Sequence, residues 1–189
     1  MRVQLRPFHD AATLAKVYDH PYDHTHWPDH IERVRWTIAE GVQLAKQLKA
    51  VSLIDLSCGD GAVLRGIAAE LPESTLYFGD LVHAPHVQHV GPIEEALRLE
   101  GLCADLLVMT ETLEHLADPD AVLRAARVRF RGLLVSTPIG EDATHDNIEH
   151  YWSWQMEDVL GMLTEAGWTP YRYARLDLPW YDFQLWGCR

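Results

Sequence analysis

Between residues 29 and 49 the apolar side chains Ile31, Val34, Ile38, Val42, Ala45 and Leu48 recur at three- and four-residue steps, the stripe of a helix packed on a core. Pro28 just ahead fits its first turn. The pattern then shortens. Val51-Ser-Leu-Ile-Asp-Leu56 reads as a short strand, the small-residue turn Ser57-Cys-Gly-Asp-Gly61 interrupts it, and 62–71 reads as a helix. The alternation repeats with strands over 74–78, 86–90, 104–109 and 131–136, and helices over 92–100, 118–128 and 154–166. Asp118-Pro119 supplies a cap and a first-turn proline, and Gly167 stops the last helix. Strands alternating with helices imply a parallel α/β sheet covered on both faces. The chain ends differently: 169–176 and 182–188 are joined by a Leu-Pro-Trp-Tyr turn with no helix between them, so they form an antiparallel hairpin.

Composition narrows the classes. The chain has 189 residues, 48% hydrophobic and 23% charged, with a formal net charge of −12, which describes one soluble, acidic domain, 1–189. Residues 1–28 read as an N-terminal appendage and 29–189 as the core. Cys58, Cys103 and Cys188 are odd in number and widely spaced, so neither a disulfide framework nor a cysteine zinc site is expected, and a reducing, cytoplasmic setting fits. No apolar run approaches a membrane span, and no signal-peptide core opens the chain. The acidic balance argues against nucleic acid as a partner, because the one basic cluster, Arg124, Arg127, Arg129 and Arg131, is small. Oligomeric state is left open, since periodicity does not separate an interface strand from a core strand.

The turn Asp55-Leu-Ser-Cys-Gly-Asp-Gly61 lies where a strand ends and a helix begins, the edge at which open α/β sheets bind ligands. Gly59 and Gly61 allow close backbone approach, and the free N–H groups of the next helix favour an anion. Asp80, at the next strand end, is placed to accept both hydroxyls of a ribose. A dinucleotide fold would show G-x-G-x-x-G, whereas this turn reads S-C-G-D-G-A-V-L-R-G. Asp60 would also repel a pyrophosphate, but not a cofactor with an amino-acid tail and a sulfonium.

The blocks I-D-L-S-C-G-D-G (54–61), Y-F-G-D (77–80), A-D-L-L-V-M-T-E-T-L-E-H-L-A-D-P (104–119) and G-L-L-V-S-T-P (132–138), with the terminal hairpin, resemble the class I S-adenosylmethionine-dependent methyltransferases. The resemblance runs from about Asp29 to Arg189. It implies a Rossmann-like, seven-stranded, mostly parallel sheet with helices on both faces and a reversed C-terminal strand. It also implies a cofactor set of Asp55, Ser57, Gly59, Gly61, Asp80, Leu81, Ile93, Glu94, Thr110 and Glu111. In that set Asp55 and Gly59 hold the methionine amino group, Gly61 lines the carboxylate side, Asp80 binds the ribose and the segment Gly91-Pro-Ile-Glu94 faces the adenine. Ser57 departs from the family's usual glycine.

The stretch Thr110-Glu-Thr-Leu-Glu-His-Leu116 would lie beside the reactive methyl group, and His150 follows the fifth strand. The resemblance leaves two readings. In small-molecule methyltransferases the E-H-L element is structural and Glu114 and His115 shape the pocket floor. In the small-RNA 3′-terminal 2′-O-methyltransferases, which this stretch also resembles, E-x-x-E-H (here Glu111, Glu114, His115) and a later histidine hold Mg²⁺. The net charge and the absence of an added RNA-binding segment favour the first reading, so a small-molecule hydroxyl or amine acceptor and no metal are expected. His115 or His150, with Glu111 behind them, is the candidate base. A catalytically silent cofactor-binding protein is the alternative from another class. His9, His20, His24, His26 and His30 crowd the N-terminus, but Pro21 and Pro28 break any helix that would pair them for a metal. Tyr18, His26, Trp27 and His30 instead suit a lid over the cofactor, and Tyr151 and Trp152 a wall for a flat acceptor. Trp168, Trp180 and Trp186 read as core.

Overall fold

The computed structural model describes residues 1–23, 26, 28–144, 147–179 and 181–189. Chain order runs β1 (Val3–Gln4), α1 (Ala11–Val17), α2 (Pro28–Leu48), β2 (Ser52–Asp55), α3 (Ala62–Ala69), β3 (Thr75–Asp80), β4 (His89–Val90) and α4 (Ile93–Ala96). It continues with β5 (Ala104–Thr110), a 3₁₀ turn (Leu113–His115), α5 (Pro119–Arg127), β6 (Phe130–Pro138), β7 (Trp152–Ser153), α6 (Met156–Glu165), β8 (Pro170–Asp177) and β9 (Asp182–Cys188). Seven strands form one sheet in the order β4-β3-β2-β5-β6-β9-β8. All neighbours are parallel except β9, which runs antiparallel to both β6 and β8. The expected mostly parallel sheet with its terminal hairpin is therefore present.

β5 lies mid-sheet, and Leu106 through Thr110 are all buried, as a strand with helices on both faces requires. On one face Leu53, Leu106, Val108, Leu134 and Leu185 pack with α2 and α3. On the other, Ile54, Leu107, Met109, Leu133 and Trp186 pack with α5 and α6. The apolar face of α2 is rotated from the expected stripe: Arg33, Val34, Thr37, Gly41, Leu44 and Ala45 are its buried positions, while Ile31, Ile38, Val42 and Leu48 are half-buried. The cause is interlocking glycines. A Cβ on Gly41 would strike Ile67 of α3, and one on Gly66 of α3 would strike Ile38, so each helix seats a side chain in the other's gap.

Several expected elements are shorter. Only His89–Val90 pairs at the fourth strand, because His86 turns back so that its Nε2 lies 3.1 Å from the Gly59 carbonyl. α4 is a single turn after Pro92. α6 starts at Met156, where Gln155 N–H donates to Asp158 at 3.0 Å, leaving Trp154 outside the helix and buried with Nε1 donating to Thr137 Oγ1 at 2.9 Å. Asp118 caps α5 as expected, accepting from the Ala121 N–H at 2.8 Å. β1, α1 and β7 were not expected; β1 pairs antiparallel with β7, Val3 opposite Ser153 and Gln4 opposite Trp152. Among the described residues no helix is long and apolar enough to cross a membrane.

Candidate active site

At the carboxyl ends of β2, β3 and β5 the glycine turn is tied to its neighbours. Gly59 and Gly61 have φ of +52° and +76°, a left-handed backbone that side chains resist. The Gly59 N–H donates to Asp80 Oδ2 at 2.7 Å, and Asp80 Oδ1 accepts from the Val82 N–H at 2.9 Å. A carboxylate has about four lone-pair sites, so Asp80 keeps acceptor capacity after both bonds. Asp55 is buried and accepts from the Ser57 N–H at 3.0 Å. Burial, with Asp80 nearby, pushes its carboxyl up to about 7. Ser57 spends its hydroxyl on Thr112 at 2.7 Å, joining the glycine turn to the end of β5. Asp60 accepts from the Ala62 N–H at 2.9 Å, a charge turned onto the start of α3.

The second half of the site grows from the end of β5. Glu111 has φ of +51°, rare for a residue with a side chain, and its N–H donates to the Ser136 carbonyl at 3.0 Å while Ser136 Oγ donates to its Oε1 at 2.6 Å. Glu114 is fully buried; Thr137 Oγ1 donates to its Oε2 at 2.9 Å, and Oε1 has no hydrogen bond but lies 3.8 Å from His115 Nε2. Burial, reinforced by Glu111, raises its carboxyl to about 8. His115 Nδ1 lies 3.1 Å from the Glu149 carbonyl and 3.0 Å from the Tyr18 hydroxyl, and burial holds the ring well below the ordinary histidine range. His150 Nδ1 lies 2.7 Å from Glu141 Oε2, and its ring stands edge-on to His115 with centroids 4.7 Å apart. Burial alone would depress His150, but the bond to Glu141 and the carboxylates of Glu114 and Glu111 outweigh it and raise the imidazole. The ligand atoms of Glu114, His115 and His150 lie within 4.8 Å of one another, a group that could hold a metal ion.

The structure thus gathers the glycine turn, Asp80 and Thr110 on one side and Glu111, His115 and His150 on the other. Leu81, just past β3, is exposed, and Ile93 is committed to the core at the start of α4, with Glu94 half-buried beside it. The N-terminal segment crosses both halves: Tyr18 reaches His115, and the Tyr22 carbonyl accepts from the Asp60 N–H at 3.1 Å while its hydroxyl lies 2.5 Å from His30 Nδ1. His26 is exposed, and Trp27 lies outside the described residues, as do His24 and Trp180. The two rings expected as an acceptor wall pack against the N-terminal segment. Tyr151 is buried against Phe8 with its hydroxyl accepting from the His9 N–H at 3.2 Å, and Trp152 lies under Arg2, 4.0 Å from the guanidinium carbon to the ring centroid, donating to the Leu116 carbonyl at 2.7 Å. Both rings are used to hold the N-terminus.

Glu141, Ser136, Thr137 and Arg33 have no counterpart among the expected site residues. Glu141 sits in an irregular loop with no pattern to mark it, and Arg33 interrupts an apolar helix face, which was its only available signal.

A model of the methyltransferase domain matches residues 24–170. No curated protein matches the chain. Among solved structures, a 1,6-didemethyltoxoflavin-N1-methyltransferase from Burkholderia thailandensis, with bound 1,6-didemethyltoxoflavin and S-adenosylhomocysteine, is 17% identical; the match covers 97% of this chain and 92% of that one, with a TM-score of 0.66. A magnesium protoporphyrin IX methyltransferase from Synechocystis PCC 6803 with bound S-adenosylhomocysteine is 13% identical over 84% of each chain, TM-score 0.64. A putative methyltransferase from Bacillus halodurans C-125 is 14% identical over 80% of this chain and 98% of that one, TM-score 0.60. The chain belongs to the methyltransferase-domain family and shares its fold with these solved methyltransferases.

Proposed function

We propose that the protein transfers a methyl group from S-adenosylmethionine to a hydroxyl or amine of a small molecule. The observation that carries this is the Asp80–Gly59 clip beside buried Asp55 at the end of β2, with Glu111 and the cluster of Glu114, His115 and His150 following the end of the adjacent strand β5 and the loop after β6. Asp80 binds the ribose hydroxyls, Asp55 and the Gly59 region the methionine ammonium, and Gly61 the carboxylate side. In-line displacement needs chiefly alignment of acceptor and sulfonium. His150, oriented through Nδ1 by Glu141, is placed to take the acceptor proton, with His115 beside it and Glu111 behind. The lid of Tyr18 and Tyr22 keeps water from the charge-dispersing transfer. The toxoflavin and porphyrin methyltransferases act on small ring systems, which supports a small-molecule acceptor here.

The decisive experiment titrates the purified protein calorimetrically with S-adenosylhomocysteine, with and without Mg²⁺ and EDTA. Binding that Asp80→Ala abolishes and metal leaves unchanged is the expected result; no binding by the wild type overturns the reading. Production of S-adenosylhomocysteine from cofactor and acceptor separates an enzyme from a silent binder.

A second reading is favoured by one observation, the group of buried Glu114 and His150 with half-buried His115. Glu114 Oε1 makes no hydrogen bond and faces His115 Nε2 at 3.8 Å, and Thr137, the Glu149 carbonyl and Glu141 each hold one member from behind, the arrangement that orients metal ligands. These residues fit a divalent cation, which would supply charge to grip vicinal hydroxyls of a sugar, including the terminal ribose of an RNA. The net charge of −12 weighs against the RNA. Mg²⁺ or Mn²⁺ binding that Glu114→Gln removes would put this reading ahead.

A further inference from the structure

Arg33 is 2% exposed on the sheet-facing side of α2, and its Nε and Nη1 atoms are buried without a hydrogen-bond partner. Among the described residues the carboxylate within ion-pair range is Glu111, whose Oε1 accepts from the Ser136 hydroxyl and lies 4.0 Å from Nη1, beyond hydrogen-bond distance. One turn further along α2, Thr37 Oγ1 is fully buried and also unpartnered. Positions i and i+4 share a helix face, so guanidinium and hydroxyl look the same way. The Phe183 ring lies 5.6 Å from the guanidinium carbon. Proteins satisfy nearly all buried polar groups, and an arginine cannot shed its charge to escape the cost. Buried donors with an ion-pair neighbour but no hydrogen bond therefore mark where an acceptor arrives.

Sheet order says which half of the site this is. Arg33 meets Glu111 just past β5 and Phe183 on β9, with Ser136 of β6 between them through Glu111, whereas the glycine turn and Asp80 lie on the β2 and β3 side. We propose that Arg33 is the anion receptor of the acceptor pocket, assisted by Thr37, and that the methyl acceptor carries a carboxylate; this rests on the methyl-transfer reading above. The planar guanidinium fork matches the two oxygens of a carboxylate. The carboxylates of Asp80 and Glu141 repel an anion elsewhere in the site, and the His150 imidazole is already engaged through Nδ1 by Glu141. Arg33 is thus a selectivity device: it admits an acid whose carboxylate reaches α2 and leaves the hydroxyl or amine toward β5. The cofactor's own carboxylate is the other source of the same chemistry.

The test uses the full chain loaded with S-adenosylhomocysteine and four acid and carboxamide pairs: acetate, 3-hydroxybutyrate, 4-hydroxybenzoate and indole-3-acetate, each against its amide. At least one acid is expected to bind about tenfold or more tightly than its amide, since a charge-assisted pair is roughly twice as strong as a neutral one. That preference disappears in Arg33→Gln and survives in part in Arg33→Lys. No preference in the wild type, or one that persists in Arg33→Gln, overturns the proposal, and the wild-type comparison and the lysine variant stand even if Arg33→Gln fails to fold. If Arg33→Gln weakens S-adenosylhomocysteine but not 5′-methylthioadenosine, which lacks the amino-acid tail, the anion is the cofactor's and the acceptor assignment falls. A wild type that binds no S-adenosylhomocysteine fails the methyl-transfer reading itself, and is seen before any acid is added.

Discussion

Asp55 shows how burial sets both cost and use. Its carboxyl titrates at about 7 in the folded protein, above the usual carboxylate range, so its contribution to stability is fully present at acid pH and is lost as pH rises toward and through 7. The same ionised form is the one a methionine ammonium requires. Affinity for S-adenosylhomocysteine is therefore expected to rise with pH through about 7, with proton release on binding below it, measured calorimetrically in buffers of different ionisation enthalpy. Asp55→Asn removes the buried charge but keeps an acceptor for the Ser57 N–H. It is expected to raise the cofactor-free midpoint at pH 8 by about 2–4 °C, the shift that roughly 1 kcal/mol gives at this chain length, while weakening cofactor binding. Glu141 belongs to the same scale. Glu141→Gln and His150→Ala are each expected to lower kcat by about a hundredfold, the usual share of a positioned proton acceptor, and to leave S-adenosylhomocysteine affinity within about twofold. Equal loss of affinity would move both residues out of the acceptor half.

Among elements, α2 and α3 depend on two glycines that each admit a branched neighbour. Gly66→Ala gains helix propensity of about 1 kcal/mol but drives a Cβ into Ile38, an overpacking cost of about 1–3 kcal/mol. The expected net is a loss, read by denaturant unfolding, and Ile38→Val in the same chain restores part of it. A stabilised Gly66→Ala would mean that the two helices separate freely. The β1–β7 ribbon is the other case. Leu5 N–H donates to the Tyr151 carbonyl and Tyr151 N–H to the Glu114 carbonyl, each at 2.8 Å, so the N-terminus holds the loop that carries His150. Deleting residues 1–9 is expected to speed amide exchange at Tyr151 and neighbouring amides while β5 stays protected.

For the whole molecule, the proposed cofactor site lies between β2 and β5 at the middle of the seven-stranded sheet, where the connections leave in opposite directions. Ligation there links strands on both sides of the centre. S-adenosylhomocysteine at a hundred times its Kd is expected to raise the unfolding free energy by about 2.7 kcal/mol and the midpoint by roughly 5–10 °C. A shift confined to the N-terminal segment, seen by exchange without a change in midpoint, would place the ligand on the lid instead.

Read alone, the sequence determined the alternation of strands and helices, the reversed terminal hairpin, the glycine turn with Asp55 and Asp80, and the E-x-x-E-H run after β5. These are local signals, since a strand's period, a turn's glycines and a cap's aspartate act within a few residues of one another. The tertiary structure alone decided which face of α2 is buried, because Gly41 and Gly66 matter only against Ile67 and Ile38 of the opposing helix. It also decided that Tyr151 and Trp152 anchor the N-terminus, that Glu141 backs His150, and that Arg33 lies buried beside Glu111. A polar residue's role is set by which donors and acceptors surround it after folding, and those partners come from distant segments whose approach no local pattern records.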